Sequence, residues 1–233
     1  MTKIGVQAMM LKESFETEGV FETLEAVSDI GYHAVEISQV PMTPENVDAL
    51  DRARTELGMD IGALSAMLTV PEGMPAESLT ADFDKIVADC KRLDATMLRM
   101  GMLPFDAMFS LDAVLAFCDA SEEMAQRLAG EGIGLYYHNH HIEFAKYDGR
   151  FLLDVIADRA PSMGLEIDVH WVQRGGLDPV RTLTANLALE MGYASGDHRA
   201  ALFATGMILF LVVVILNGIA GLARGKRGRS GPR

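Results

Sequence analysis

The chain has 233 residues and a formal net charge of −13. Its last ten residues carry five basic side chains and no acidic one, so the rest of the chain carries a charge of −18. A body this acidic repels polyanions, which argues against nucleic-acid binding and suits an enzyme that acts on small molecules. The two cysteines, Cys90 and Cys118, lack metal-type spacing and are predicted to be reduced core thiols.

The first ten residues, MTKIGVQAMM, contain no apolar stretch long enough for a secretory signal peptide, so we expect the N-terminal part to be cytoplasmic. From there to about residue 180, short strand-like runs alternate with longer amphipathic segments. The predicted strands are Ile4–Ala8, His33–Ile37, Asp60–Ala66, Thr96–Met100, Ile133–His138 and Gly164–Asp168. The predicted helices lie near Val20–Ile30, Pro44–Leu57, Leu79–Leu93, Leu111–Gly130 and Arg150–Arg159.

This repeated alternation indicates parallel strands joined by helical crossovers, with Gly31 and Gly58 at two predicted helix ends. About six such units form part of either a TIM barrel or a doubly wound sheet. No GxGxxG follows the first strand and no GxxxxGK(S/T) occurs in the chain, which disfavours a nucleotide-binding sheet. Titratable residues follow the late strands, where barrel enzymes place their active sites. The sequence therefore predicts an α/β fold that is an incomplete TIM barrel.

Histidine, asparagine and carboxylate side chains cluster in two segments, YHNHHIEF at residues 137–144 and GLEIDVHW at residues 164–171. If their strands are neighbours, three histidines, an asparagine, Glu143 and Asp168 converge. Imidazole and carboxylate groups are ligands for Mn²⁺, Co²⁺, Zn²⁺ or Mg²⁺. Such an ion can acidify a C–H next to a carbonyl, and a second carboxylate or histidine can move the proton. Alternatively, each histidine taken singly is a hydrogen-bonded loop or core residue.

The same segments carry a family resemblance that covers residues 1–180. KIGVQ (3–7), GYHAVEIS (31–38), IGLYYHNHHIEF (133–144) and GLEIDVHWVQRGGLDP (164–179) resemble the sugar phosphate isomerase/epimerase family, the xylose isomerase-like TIM barrels. The resemblance implies one divalent metal, held by carboxylates and a histidine on late strands. It also implies isomerisation, epimerisation, dehydration or cleavage of a sugar or polyol through an enediolate.

The resemblance further implies roles for individual residues. Asp168 matches a metal ligand, and the place on the preceding strand is matched either by Glu143 or by His138 at the strand end. Trp171 would form an apolar wall of the pocket, or else belong to the core. The expected site comprises the catalytic residues His138, His140 and Glu36, the metal ligands Glu143 and Asp168, and the substrate contacts Trp171 and Asn139.

The family pattern continues with a seventh and an eighth strand that carry the remaining ligands. After Val180 the only acids are Glu190 and Asp197, and neither stands in such a motif. A closed barrel takes about 200–250 residues, whereas roughly 180 precede the apolar C-terminal part. We therefore expect a domain at 1–180 that lacks two strands and two ligands, leaves its first and sixth strands unpaired, and has impaired activity.

Residues 200–223 form an uncharged apolar run of 24 residues, followed by a basic tail at 224–233. This pattern is typical of a transmembrane helix. Together with the junction segment at 181–199, the run resembles the C-terminal end of the permease subunit of phosphate ABC transporters, through EMGYASG (190–196) and HRAALFATG (198–206). The resemblance covers one span and implies common ancestry without transport activity.

The N-terminal domain and the C-terminal part predict conflicting membrane topologies. The basic tail and the acidic N-terminal domain should both stay in the cytoplasm, but a single span cannot place both of its ends on the same side. The conflict indicates a fused reading frame, joined near Val180–Thr182, with neither transport nor catalytic activity. The alternatives are an enzyme anchored to the cytoplasmic membrane through residues 200–223 and a buried apolar helix.

Overall fold

The structure is a computed structural model that describes residues 4–71, 76–105, 107, 110–177 and 204–215. The chain divides into two compact units, Met1–Trp171 and Val172–Arg233. The strands are β1 Val6–Gln7, β2 Ala34–Glu36, β3 Asp60–Ser65, β4 Met97–Met100, β5 Gly134–His138, β6 Lys146–Tyr147, β7 Arg150–Phe151 and β8 Gly164–Glu166. The helices are α1 Lys12–Thr17, α2 Val20–Asp29, α3 Pro44–Glu56, α4 Phe83–Arg92, α5 Leu111–Gly130, α6 Leu152–Arg159 and α7 Val169–Arg174.

The first unit is built on a parallel sheet of six strands in the order β1-β2-β3-β4-β5-β8. All six predicted strands are present, which confirms the predicted parallel α/β architecture. In the part of the chain that the structure describes, β1 and β8 are the edge strands of this sheet. Because neighbouring strands are parallel, their carboxyl ends lie at the same edge and bring distant segments of the sequence together.

The face of the sheet that packs against the helices is apolar. Leu98 and Met100 in β4, and Leu135 and Tyr137 in β5, are at most 1% exposed. The Tyr137 ring lies 6.0 Å from the ring of Phe117 in α5, in an edge-to-face arrangement. Each fully buried leucine contributes about 1.5–3 kcal/mol through removal of its side chain from water. Because side chains alternate along a strand, the residues between these four point to the opposite, interior face.

Local signals in the sequence set the helix ends. Gly31 and Gly58 follow α2 and α3 with φ angles of +101° and +66°, as predicted for glycines that end a helix. Helix α3 begins at Pro44, and the Oγ1 atom of the preceding Thr43 accepts a hydrogen bond of 3.3 Å from the Asn46 N–H. These features explain why the ends of the longer helices could be predicted closely.

Some elements differ from the prediction. Helix α4 begins at Phe83 rather than Leu79, because the Asp82 carboxylate accepts a hydrogen bond of 2.9 Å from the Ser78 N–H and closes a turn there. Helix α6 begins two residues later than predicted, because β7 pairs with β6 in an antiparallel hairpin. This hairpin, α1 and α7 were not predicted, since elements of two to six residues are too short to show a hydrophobic period.

The two cysteines belong to the helical layer of the core. Cys90 in α4 and Cys118 in α5 are free and fully buried, as predicted. Burial raises the pKa of the Cys90 thiol to about 12 and that of the Cys118 thiol to about 11. Because the thiolate is the reactive form, both side chains behave as small apolar core residues.

In the second unit the structure describes residues 172–177, where α7 ends at Arg174, and a helix at 204–215. No helix among the described residues is long and apolar enough to cross a membrane. The predicted transmembrane helix at 200–223 is thus described over only half of its length. The predicted junction at 181–199 and the basic tail at 224–233 lie outside the described residues.

The interior face of the sheet carries one large aromatic ring among very small residues. A Cβ atom at Gly164 would lie 2.5 Å from ring carbons of Tyr136, and one at Gly134 would lie 2.9 Å from the same ring. Both values are well below van der Waals contact. The Tyr136 ring therefore lies over Gly134 of its own strand β5 and over Gly164 of the neighbouring strand β8, in space that only glycine leaves open.

We predict that Gly164→Ala destabilises the protein by about 1–3 kcal/mol, the usual cost of overpacking a core. The new methyl group would force the Tyr136 ring or strand β8 to move. Urea unfolding followed by circular dichroism measures the change. The control is Gly130→Ala at the end of α5, where a Cβ would meet nothing within 4 Å. Equal unfolding midpoints for the two variants would contradict the packing described here.

Candidate active site

The interior face of the sheet lines a cavity of about 640 Å³. This volume lies within the range of about 300–1,000 Å³ that small-molecule sites occupy. Small residues line much of it, and polar side chains line it where the strands end, namely Gln7, Glu36, Arg99 and Glu166. The carboxyl ends of the strands are the edge at which parallel barrels place their chemistry.

Arg99 is the centre of the polar lining. Its side chain is only 9% exposed, and its Nε atom lies 3.2 Å from Glu166 Oε1 and 3.4 Å from Glu36 Oε1. Its Nη1 atom donates a hydrogen bond of 3.2 Å to the hydroxyl of buried Ser38. Gln7 Nε2 donates a further hydrogen bond of 3.1 Å to Glu36 Oε1. These contacts tie the ends of β1, β2, β4 and β8 together around one buried cation.

His138 extends this network at the end of β5. Its Nδ1 atom lies 2.8 Å from Glu166 Oε1, and its Nε2 atom lies 3.7 Å from Asp168 Oδ2. The side chain is 6% exposed. His138 and Glu166 are paired in the register between β5 and β8, so the backbone itself sets their proximity. His138 and Asp168 thus come together as the sequence predicted for neighbouring strands.

Asn139 holds the segment that carries Asp168. It is fully buried, and its Oδ1 atom accepts a hydrogen bond of 2.9 Å from the Asp168 N–H. Asp168 Oδ1 in turn accepts hydrogen bonds from the N–H groups of His170 and Trp171, at 2.8 and 3.4 Å, at the start of α7. The other oxygen, Oδ2, faces His138. Asn139 therefore holds Asp168 in place, and its expected contact with substrate stays a prediction.

Glu143 is fully buried, and both of its oxygens accept hydrogen bonds. The Tyr137 hydroxyl donates to Oε1 at 2.5 Å, and the His140 N–H donates to Oε2 at 2.8 Å. Burial, with the negative charge of Glu143 beside it, raises the pKa of Tyr137, so its hydroxyl stays protonated and donates. Glu143 thus anchors the loop after β5, and the choice between Glu143 and His138 as a metal ligand stays a prediction.

An imidazole and indole cluster lies beside His138. The His140 ring is 5.1 Å from the His138 ring and 4.9 Å from the Trp171 ring, and His141 stacks on Trp171 at 5.4 Å. Burial lowers the pKa of His140, and the nearby His138 and Arg99 lower it further. A neutral His140 ring can accept a proton near neutral pH.

Two side chains of the types that bind metals lie close together at the strand ends. His138 Nε2 and Asp168 Oδ2 are 3.7 Å apart, and two ligands of a tetrahedral zinc ion lie about 3.4 Å apart, given bonds of about 2.1 Å. His140 Nδ1 is buried and has no hydrogen-bond partner among the described residues. Within those residues, no three His, Cys, Asp or Glu side chains form a group that could hold an ion. The spacing of His138 and Asp168 suits two ligands of one ion, and the described residues supply no third.

Two residues of the network, Arg99 and Glu166, were absent from the predicted site. A signal for each was present in the sequence. Arg99 is a lone cation in the apolar strand MLRM, and Glu166 precedes Asp168 by two residues, the spacing that places side chains on one face of a strand. Glu36 was predicted, and the structure places it at the cavity beside Arg99.

No protein-family model matches the sequence, and no curated protein matches it either. Among solved structures, the chain is similar to a sugar phosphate isomerase/epimerase from Parabacteroides distasonis, with a TM-score of 0.63 and 17% identity over 79% of this chain and 71% of that one. It is also similar to an AP endonuclease, family 2, from Brucella melitensis, with a TM-score of 0.58 and 16% identity over 79% of this chain and 75% of that one. A third similar structure is the IOLI protein with a bound zinc atom, with a TM-score of 0.51 and 15% identity over 69% of this chain and 61% of that one.

At these identities the similarity establishes the fold alone. The six-stranded parallel sheet matches the fold of these structures, in agreement with the predicted α/β architecture. The comparisons do not support the predicted permease resemblance of the C-terminal part.

We predict that Glu143→Gln destabilises the protein by about 1–3 kcal/mol, because the amide nitrogen that replaces one oxygen cannot accept a hydrogen bond from Tyr137 or His140. Urea unfolding measures the effect. The matched control is Glu123→Gln, the same chemical change at an exposed position of α5, which we expect to change stability by less than about 0.5 kcal/mol. A similarly small effect at position 143 would contradict the anchoring role.

Proposed function

We propose that the chain is a metal-dependent sugar isomerase or epimerase, and that it acts on a sugar or polyol by enolisation next to a carbonyl. The observation that carries the proposal is the juxtaposition of His138 Nε2 and Asp168 Oδ2, 3.7 Å apart, where His138 also contacts Glu166, which lines a cavity of about 640 Å³. The similarity of the fold to a sugar phosphate isomerase/epimerase supports this class of reaction.

His138 and Asp168 would hold the metal. A divalent ion bound there polarises a carbonyl and its adjacent hydroxyl, which acidifies the C–H bond between them. Asn139 and the start of α7 fix the position of Asp168 before any ligand arrives. The identity of the ion, Mn²⁺, Co²⁺, Zn²⁺ or Mg²⁺, is left open by two ligands of mixed type.

Two groups are suited to move the proton. His140 has a lowered pKa and a buried Nδ1 atom that no described residue contacts by a hydrogen bond. Glu36 lines the cavity on the other side of Arg99, where its carboxylate accepts from Gln7. We assign His140 and Glu36 as the candidate acid and base, because one carries an imidazole and the other a carboxylate to the same edge of the sheet.

Substrate binding would use the polar end of the cavity and the Trp171 ring. Hydroxyl groups of a sugar pair well with the carboxylates and the amide that line the cavity. Trp171 offers an apolar surface for the C–H face of a sugar, and His141 covers part of its ring. The expected substrate is a small polyhydroxy carbonyl compound.

The proposal predicts exchange of a sugar proton with solvent. We would incubate the full-length protein with a panel of aldoses and ketoses in D₂O containing Mn²⁺, Co²⁺ or Zn²⁺. Proton NMR would follow the loss of the C–H signal next to the carbonyl. Enolisation exchanges this proton whichever product forms, so the assay does not depend on knowing the product.

We expect exchange to require the metal and to fall at least about 100-fold in Asp168→Asn and His138→Gln. Asp158→Asn is the control, since Asp158 is an exposed carboxylate on α6 paired with Arg150. The absence of exchange for every sugar, or equal rates in the Asp168 and Asp158 variants, would refute the proposal.

The alternative to an enzyme is a chain attached to the membrane through residues 200–223, or a fused chain without activity. In the described helix at 204–215, seven large apolar side chains are 43–63% exposed, namely Met207, Ile208, Phe210, Leu211, Val212, Val214 and Ile215. An apolar helix with so much exposed surface is unusual in water and favours contact with lipid or protein.

Membrane attachment predicts that the full-length protein stays with the membrane fraction after alkaline carbonate extraction. The double substitution Ile208→Arg and Val212→Arg should release it, because a charge near the centre of a span costs about 2.5–3.5 kcal/mol. Asp154→Arg together with Asp158→Arg, two changes on α6, is the control. Recovery of the unaltered protein in the extract would exclude membrane attachment.

A further inference from the structure

The contacts of His138 define which of its ring nitrogens carries the proton. Glu166 Oε1 lies 2.8 Å from Nδ1, and an ionised carboxylate can only accept a hydrogen bond. Nδ1 must therefore be the N–H donor in this contact. In a neutral ring, Nε2 is then left with a lone pair, and this is the atom that faces Asp168 Oδ2 at 3.7 Å. That distance is too long for a hydrogen bond.

More than one contact fixes the position of Glu166. The register of β5 and β8 places Glu166 beside His138, and Arg99 Nε holds the same oxygen, Oε1, at 3.2 Å. Arg99 is fixed in turn by Ser38 and Glu36. Because the His138 side chain is 6% exposed, water has little access to compete for its Nδ1–H. The carboxylate thus has a defined place before any ligand binds.

We propose that Glu166 is a positioning residue that holds His138 in the Nδ1–H tautomer and directs the Nε2 lone pair at Asp168, and that Arg99 keeps Glu166 in place. Histidines that bind metals usually donate their other ring N–H to such a partner, which orients the ring and strengthens the ligand. The consequence for metal affinity rests on the function proposed above. The tautomer itself does not, because it follows from hydrogen bonds within the protein.

The competing explanation is that Glu166 serves only as an ion-pair partner of Arg99. Glu36 allows the two explanations to be separated, since it lies 3.4 Å from the same Arg99 nitrogen, and no hydrogen bond joins it to His138 in the described part of the chain. Removing either carboxylate takes one negative charge from Arg99. Removal of Glu166 alone takes the acceptor from His138.

The first test reads the tautomer directly. Full-length protein labelled with ¹⁵N-histidine would be studied by NMR in alkaline buffer, where imidazole is neutral. His138→Gln identifies the His138 signals. We expect Nε2 of the unaltered protein to be of the pyridine type and Nδ1 of the pyrrole type. The reverse pattern, or an even mixture, would overturn the proposal without the need for any further variant.

The variants then assign the cause. Glu166→Ala should release His138 into a mixture of tautomers, whereas Glu36→Ala should leave the Nδ1–H form unchanged. Glu166→Gln should preserve it, because the amide carbonyl still accepts from Nδ1–H. Circular dichroism confirms that each variant is folded. A fixed tautomer in folded Glu166→Ala would show that Glu166 acts only through Arg99.

The second test measures metal affinity without turnover. Calorimetric titration with Co²⁺ should give an affinity about 10–100-fold lower for Glu166→Ala than for the unaltered protein, the usual effect of losing such a partner. Glu36→Ala should change it by less than about threefold. If the unaltered protein binds no metal but shows the Nδ1–H tautomer, the proposed function fails and the positioning role of Glu166 stands. Equal affinities in the two alanine variants would overturn the link between Glu166 and the metal site.

Discussion

The parallel pairing of β5 with β8 places His138 directly beside Glu166, and the arrangement of the site follows from that register. A shift of β5 by one residue would turn Tyr136 and His138 to the helical face of the sheet. The apolar residues that alternate with them, Leu135 and Tyr137, are buried against the helices and oppose such a shift. The same burial that stabilises the sheet therefore determines which polar groups meet at its edge.

The interior of the sheet separates into a packed part and a charged part. Tyr136 fills the space left by Gly134 and Gly164, whereas Arg99 lies between the carboxylates of Glu36 and Glu166 nearer the strand ends. A buried cation is costly unless it is paired, and removing one partner of such a network typically costs about 3–5 kcal/mol. The network is thus both a structural tie between four strands and the polar lining of the cavity.

Neighbouring residues of the 137–144 motif have different structural roles. Glu143 accepts hydrogen bonds from the Tyr137 hydroxyl and the His140 N–H, and so fixes the loop. Asn139 fixes the segment that carries Asp168. His138 and His140 are left to face the site. Acids and amides in a polar motif are therefore not all ligands, because a loop that bears functional groups needs hydrogen bonds of its own to hold it.

Much of the fold could be predicted from the sequence. The six strands follow from short apolar runs between amphipathic segments, and the parallel sheet follows from their alternation with helices, because connections between such units are short and regular. The convergence of His138 and Asp168 could also be predicted, since both lie at the ends of strands in one parallel sheet. These inferences depend on local patterns and on rules that hold for any chain of this type.

The tertiary structure alone decided which polar groups contact one another. The sequence showed Glu143 as the only acid in its motif, but it could not show that both oxygens are occupied by hydrogen bonds. Nor could it show that Arg99, 67 residues before Glu166, reaches the carboxylate beside His138. Periodicity assigns a residue to a face of a strand, whereas a hydrogen bond depends on distances between side chains that are set by packing across the whole sheet.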